Sequence, residues 1–370
     1  MHHGRRRPQA PTSPNFQTNS MPHESEAAQA APGSNEPWWR RTLRETAIHD
    51  FAVFAFLLIL NGSVLATPAG AERSFCLTRT GGLLLVFALA IVLVRGRLLR
   101  RSWVAALVYR LGIYGTVQIS YFFLKHVLPL INKTTLDQRL YAFDLSVFKC
   151  EPAMAWDRFV NPATTEWFSF FYFGYFLLMA VHVVPLLFFG RRKRIVGEFT
   201  FAMILLFSIG HTLYMVVPGY GPYRAMADSF QHPFPVGPWH ELVMNAVHSG
   251  GAQMDIFPSL HTGAPTMLAF FSYRNRKDMP FRYTWPVVTF CTVNIIIATM
   301  FLRWHYLIDV VVGFSIAISV VLLSRPVVRW ELARRARENL GELWPEFSSA
   351  RLRGSGSGSD SKVAGGVAAA

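Results

Sequence analysis

The chain has 370 residues, of which 52% are apolar, 14% aromatic and only 16% charged, and it carries 31 phenylalanines. Apolar runs of nearly twenty residues recur along it, long enough to cross a bilayer core, so the composition is that of a membrane protein. The formal net charge of +14 does not point to nucleic acid, because the arginines cluster beside apolar segments instead of forming one basic face.

In chain order, residues 1 to about 37 are rich in Pro, Ser, Asn, Gln and Ala and are expected to be disordered, since they cannot bury enough apolar surface to fold. The first apolar run begins near His49, too far in for a signal peptide. Trp38 and Trp39 read as interface anchors, followed by Arg40, Arg41 and Arg44. Eight spans are then expected, at about 49–67, 81–95, 103–124, 166–189, 196–217, 260–274, 284–302 and 305–324. Beyond them, about 328–345 reads as a basic amphipathic helix along the membrane surface, and 354–370 as a Gly/Ser/Ala tail. The fold class is therefore all-α and multi-pass. The organisation is a tail over 1–37, N-terminal transmembrane helices over 38–128, a catalytic membrane domain over 129–328, and a basic segment with its tail over 329–370.

Alternate connections carry the basic residues: Arg95/Arg97/Arg100/Arg101, then Arg191/Arg192/Lys193/Arg194, then Arg274/Arg276/Lys277/Arg282. Both termini are basic as well, so the positive-inside rule puts both in the cytoplasm. Spans five, six, seven and eight then bring Pro218–Arg224, Pro258–His261 and Arg303–Asp309 to one face, by charge bias the extracytoplasmic one.

Ionisable residues at the mouths of spans mark a functional site by default. His305 and Asp309 are four apart at the start of a helix and share a face. A carboxylate there fixes the imidazole tautomer and leaves the other ring nitrogen as a nucleophile. His261, from a second helix, is placed to protonate a leaving oxygen. Ser259 opens that helix, where free amides favour an anion, and Arg224 and Arg303 supply guanidinium forks that match phosphate oxygens. Nucleophile, acid and anion clamp together spell phosphoryl transfer.

These residues carry a resemblance. Phe-Pro-Ser-Leu-His at 257–261, His-Tyr-x-x-Asp at 305–309 and Gly-Tyr-Gly-Pro-Tyr-Arg at 219–224 resemble the type 2 phosphatidic acid phosphatase superfamily, and within it the inositol phosphorylceramide synthase (inositolphosphotransferase) branch. The resemblance covers about 130–328. It implies a helical catalytic core, His261 as acid, His305 as the residue that becomes a phosphohistidine, Asp309 as its support, a membrane-lipid substrate, and neither cofactor nor metal. Three positions depart from the broader pattern: Leu260 stands where glycine is usual, Thr299 where an arginine is usual, and Val217 where a lysine is usual. Arg303 is the candidate to replace the missing arginine.

The expected function is thus a lipid phosphotransferase, with a lipid phosphate phosphatase as the alternative and a lipid transporter as a remote one. A metalloenzyme using the many histidines lacks any clustered ligand motif, and the cysteines Cys76, Cys150 and Cys291 show no metal-ligand spacing. Charges at span ends rather than at mid-membrane argue against a transporter. His182, His211, His240 and His248 read as interface residues, Arg110 as a residue snorkelling to the interface, and the aromatic run Trp167–Phe176 as lipid-facing or packing surface.

Overall fold

The computed structural model describes Met1 and residues 36–347, apart from Arg100, Arg191, Gly251 and Ala252. The rest of the expected N-terminal tail and the whole Gly/Ser/Ala tail lie outside the described residues. Apart from one isolated bridge, Gly219 to Asp255, the described secondary structure is helical. In order the helices are α1 (Trp38–Glu45), α2 (Ile48–Leu65), α3 (Ala71–Arg95), α4 (Ser102–Arg110), α5 (Thr116–Ile131), α6 (Asp137–Val147), α7 (Pro152–Trp156), α8 (Pro162–Phe189), α9 (Lys193–Val216), α10 (Pro222–Ala225), α11 (Pro238–Gly250), α12 (Leu260–Arg274), α13 (Phe281–Phe301) and α14 (Leu307–Arg337).

Among the described residues six helices are long and apolar enough to cross a membrane: α2, α3, α8, α9, α13 and α14. The other two expected spans are helical but differ in build. Residues 102–131 are broken by a π-helical turn at Leu111–Gly115 into α4 and α5. Helix α12 has 15 residues, a rise of only about 22 Å. The second span begins at Ala71, ten residues before the expected 81; its polar first turns persist because Arg79 lies over the rings of Phe75 and Phe123. The expected separate surface helix over 328–345 is instead the end of α14, which runs unbroken through Pro326 to Arg337.

Helix α12 sits at the centre, against α9, α13, α14 and α8. Two glycines make that closeness possible. A Cβ on Gly313 of α14 would sit 2.3 Å from the Ser259 carbonyl oxygen, and one on Gly210 of α9 would sit 2.7 Å from Leu260. The Leu260 side chain thus occupies the space that Gly210 leaves open.

The end of the bundle rich in basic loops is neutralised internally. Asp50 accepts from Arg95 at 2.9 Å and from the Tyr109 hydroxyl at 2.5 Å. Buried Glu198 pairs with Arg274 at 3.0 Å and Arg194 at 3.2 Å. Arg335 reaches Glu331 at 2.8 Å and the Glu45 carbonyl at 2.6 Å. Arg110 does not snorkel: it is buried and donates to the carbonyls of Leu187 at 2.7 Å and Pro345 at 2.8 Å. Charges this deep persist because each keeps its partner.

Gly313→Ala should destabilise the protein by about 1–3 kcal/mol, because the contact it meets is backbone and cannot rotate away. A thermal melt in detergent beside wild type measures this, and an unchanged midpoint would show that α14 can shift off α12 without cost.

Candidate active site

Three loops meet at the end of the bundle where α12 and α14 begin. After α13, Arg303 adopts a left-handed backbone (φ +66°) that turns the chain back, and the Thr299 carbonyl accepts from the amides of Trp304 at 2.9 Å and His305 at 3.2 Å. The 219–224 loop docks on that turn. Tyr223 donates its amide to the Arg303 carbonyl at 2.6 Å. Gly221, at φ +78°, passes so close to the Trp304 carbonyl that a Cβ would lie 2.3 Å from its oxygen, so no other residue fits there. The 253–259 loop joins through Gly219, whose amide donates to Met254 at 3.2 Å, and Ser259, whose amide donates to the Asp309 carbonyl at 3.0 Å.

Carboxylates from α6 hold this junction together. Asp137 accepts from the amides of Tyr220 at 3.1 Å and Gly221 at 2.9 Å and from the Tyr306 hydroxyl at 3.2 Å. Asp144 caps α14, accepting from Leu307 at 2.6 Å and Ile308 at 3.0 Å.

The loops enclose a cavity of about 550 Å³, and His261, His305 and Arg224 all line it. His305 is 4% exposed and Asp309 fully buried behind it. The His305 Nδ1 lies 3.5 Å from Asp309 Oδ2, longer than a hydrogen bond. His261 is packed between aromatic rings of α8, its centroid 4.4 Å from that of Tyr172 and 4.4 Å from that of Tyr175. Its Nε2 is buried with no hydrogen-bond partner in the protein. Arg224 is exposed at the rim and rests over the Tyr220 ring at 4.0 Å.

The two other expected phosphate ligands are placed elsewhere. Ser259 is fully buried, caps α12 by accepting from the Thr262 amide at 3.2 Å, and does not line the cavity. Arg303 also lies outside it, bound to Asp157 at 2.7 Å and to the His232 carbonyl at 2.6 Å, with its guanidinium over Phe230 at 3.9 Å. It therefore does not stand in for the arginine replaced by Thr299, whose own hydroxyl donates to the Ile296 carbonyl at 2.7 Å.

A family model of the PAP2 superfamily matches residues 139–323, half of the chain. The chain belongs to the PAP2 superfamily. No curated protein and no solved structure matched it. Membership supports an enzyme that acts as a phosphatase or phosphotransferase on membrane lipids, and the matched stretch contains His261, His305, Asp309 and Arg224.

Several cavity residues of this PAP2 protein escape a motif-based reading. Tyr121 and Gln118 come from α5, N-terminal to the matched stretch. Asp255 stands two residues before Phe257 and accepts from the Tyr121 hydroxyl at 2.8 Å; the one clue was an acidic residue in the apolar sequence Met-Asp-Ile. Tyr172, Phe173, Tyr175 and Phe176 line the cavity, so part of the aromatic run Trp167–Phe176, expected as lipid-facing or packing surface, also forms a wall of the cavity. His211 and His248 line it too.

Burial sets the electrostatics. It brings the His305 imidazole down to about 4, against an opposing pull from Asp255, so the ring is neutral and nucleophilic at neutral pH. Burial raises the carboxyls of Asp255 and Asp144. Glu151 is pushed up to about 8 by burial, with the nearby charges of Asp144 and Asp309 adding to the effect. An acid with a raised folded value loses stabilisation as pH climbs from its ordinary 4.5 to about 8. Thermal stability should therefore fall across that window, and Glu151→Gln should flatten the fall. A Glu151→Gln melting curve with the wild-type slope would remove this carboxyl as its cause.

Proposed function

We propose that the protein is a membrane-embedded phosphotransferase of the inositolphosphotransferase type, acting on a lipid phosphodiester headgroup through a phosphohistidine at His305. The observation that carries this reading is the meeting of His305, His261 and Arg224 on one cavity, with Asp309 behind His305. Asp309 holds the proton on Nδ1, so Nε2 attacks phosphorus. His261 gives its proton to the departing alcohol, and in the second step takes the proton of the acceptor whose oxygen displaces His305.

Two observations favour transfer over phosphatase action, the alternative reading. Arg224 is the one arginine or lysine among the described residues lining the cavity, fewer cations than a dianionic monoester would call for and enough for a singly charged diester. Leu260 lines the cavity with apolar bulk, where a lipid alcohol packs and water is kept out. The alternation of basic loops supports cytoplasmic termini, with the cavity opening on the extracytoplasmic side.

His305→Ala should abolish turnover, and Asp309→Asn should lower it by about 10⁴-fold, the scale set by a tautomer-fixing aspartate. The intermediate should be acid-labile and base-stable; full activity in His305→Ala would end the covalent mechanism. Phosphatidylinositol supplied with ceramide or diacylglycerol should yield headgroup exchange. Phosphate release from phosphatidic acid without any exchange would replace the transferase by the phosphatase. An impermeant thiol reagent should label Ser229→Cys in intact cells, whereas labelling only after permeabilisation would reverse the orientation.

A further inference from the structure

The cavity has two walls of different character. Along α8 it is aromatic, from Tyr172 to Met179, a depth of about 10 Å at the helical rise, and His261 is embedded in that wall. A second wall, built by α5, α9 and the 253–256 loop, carries the polar groups Gln118, Tyr121, His211 and Asp255 among the apolar Phe122, Phe207 and Ile256. Asp255 is the one carboxylate among the described lining residues. The Tyr121 hydroxyl fixes it from α5 at 2.8 Å, and it lines the same cavity as His305.

A negative group in the cavity that holds the nucleophile has a direct consequence for the donor. A phosphomonoester brings two negative charges to His305 and a phosphodiester brings one, so a neighbouring carboxylate penalises the monoester by one additional unit of repulsion. The same carboxylate is a strong acceptor for a neutral hydroxyl, and the residues around it are hydrogen-bonding rather than cationic. We propose that Asp255, held by Tyr121, is the residue that selects the donor: it disfavours dianionic phosphomonoesters at His305 and binds a hydroxyl of the headgroup of a phosphodiester. The inference rests on the covalent His305 reading and adds to it the choice of donor. The lipid alcohol occupies the aromatic wall beside His261, its acid, and the hydroxylated headgroup occupies the second wall beside Asp255.

The experiment follows the first half-reaction, which no acceptor influences. Formation of the phosphoenzyme is timed by rapid quench with phosphatidylinositol and with phosphatidic acid in the same detergent micelles. Wild type should use phosphatidylinositol the faster; equal or faster use of phosphatidic acid overturns the proposal without any variant. Asp255→Asn, which keeps the shape and removes the charge, should shift the ratio of the two rates towards phosphatidic acid by roughly ten- to hundredfold, and Asp255→Glu should restore the preference. A ratio within twofold of wild type in Asp255→Asn overturns the proposal. Failure of the underlying reading looks different: wild type would then form no acid-labile phosphoenzyme from either lipid. Hydrolysis of the diester in place of transfer would remove the transferase and leave the donor selection standing.

Discussion

The amide of Ser259 donates to the carbonyl of Asp309, and on that bond the rest of the site depends. It joins the start of the helix that carries His261 to the first turn of the helix that supports His305. The two backbones come this close only because residue 313, one turn further along, is glycine. His305 and His261 are thus placed by main chain against main chain, which leaves less freedom than any pairing of long side chains.

Around that contact the sequence spends acidic residues on architecture. Asp137 ties the loop before Arg224 to Tyr306, Asp144 caps α14, and Asp157 holds Arg303. Each satisfies amides or a guanidinium that would otherwise be stranded away from water. These carboxylates are engaged by backbone or by Arg303 and do not line the cavity, and among the described residues Asp255 is the carboxylate that does. Burial keeps His305 neutral in the same surroundings.

Much of this was legible in the sequence. Apolar runs located every membrane-length helix, with each end within about four residues except the start of α3 and the end of α14, and the motif residues His261 and His305 do come together on one cavity. Arg303 was misplaced for a physical reason: distance along the chain from His305 carries no information about direction, and a left-handed residue at 303 swings its side chain towards Asp157. Ser259 was misread because a helix-capping serine and an anion-binding one look alike until the cap is seen to be used internally. Tyr121 and Gln118 had no motif to announce them, since α5 lies outside the motif-bearing stretch and meets the site only in the folded bundle. The end of α14 was assigned to a separate surface helix because its arginines read as lying on the membrane surface, whereas Arg335 and Glu331 satisfy each other inside the fold.

Helix α14 is 31 residues long, a rod of about 46 Å. One end is pinned by Asp144 close to His305, and the other by Arg335 on the Glu45 carbonyl and on Gly341. A rod clamped at both ends has a fixed axial register. The height of His305 relative to His261 is therefore set jointly by two faces of the protein that share no residue, and a change of bilayer thickness would have to be absorbed by tilt of the whole bundle rather than by stretching the site.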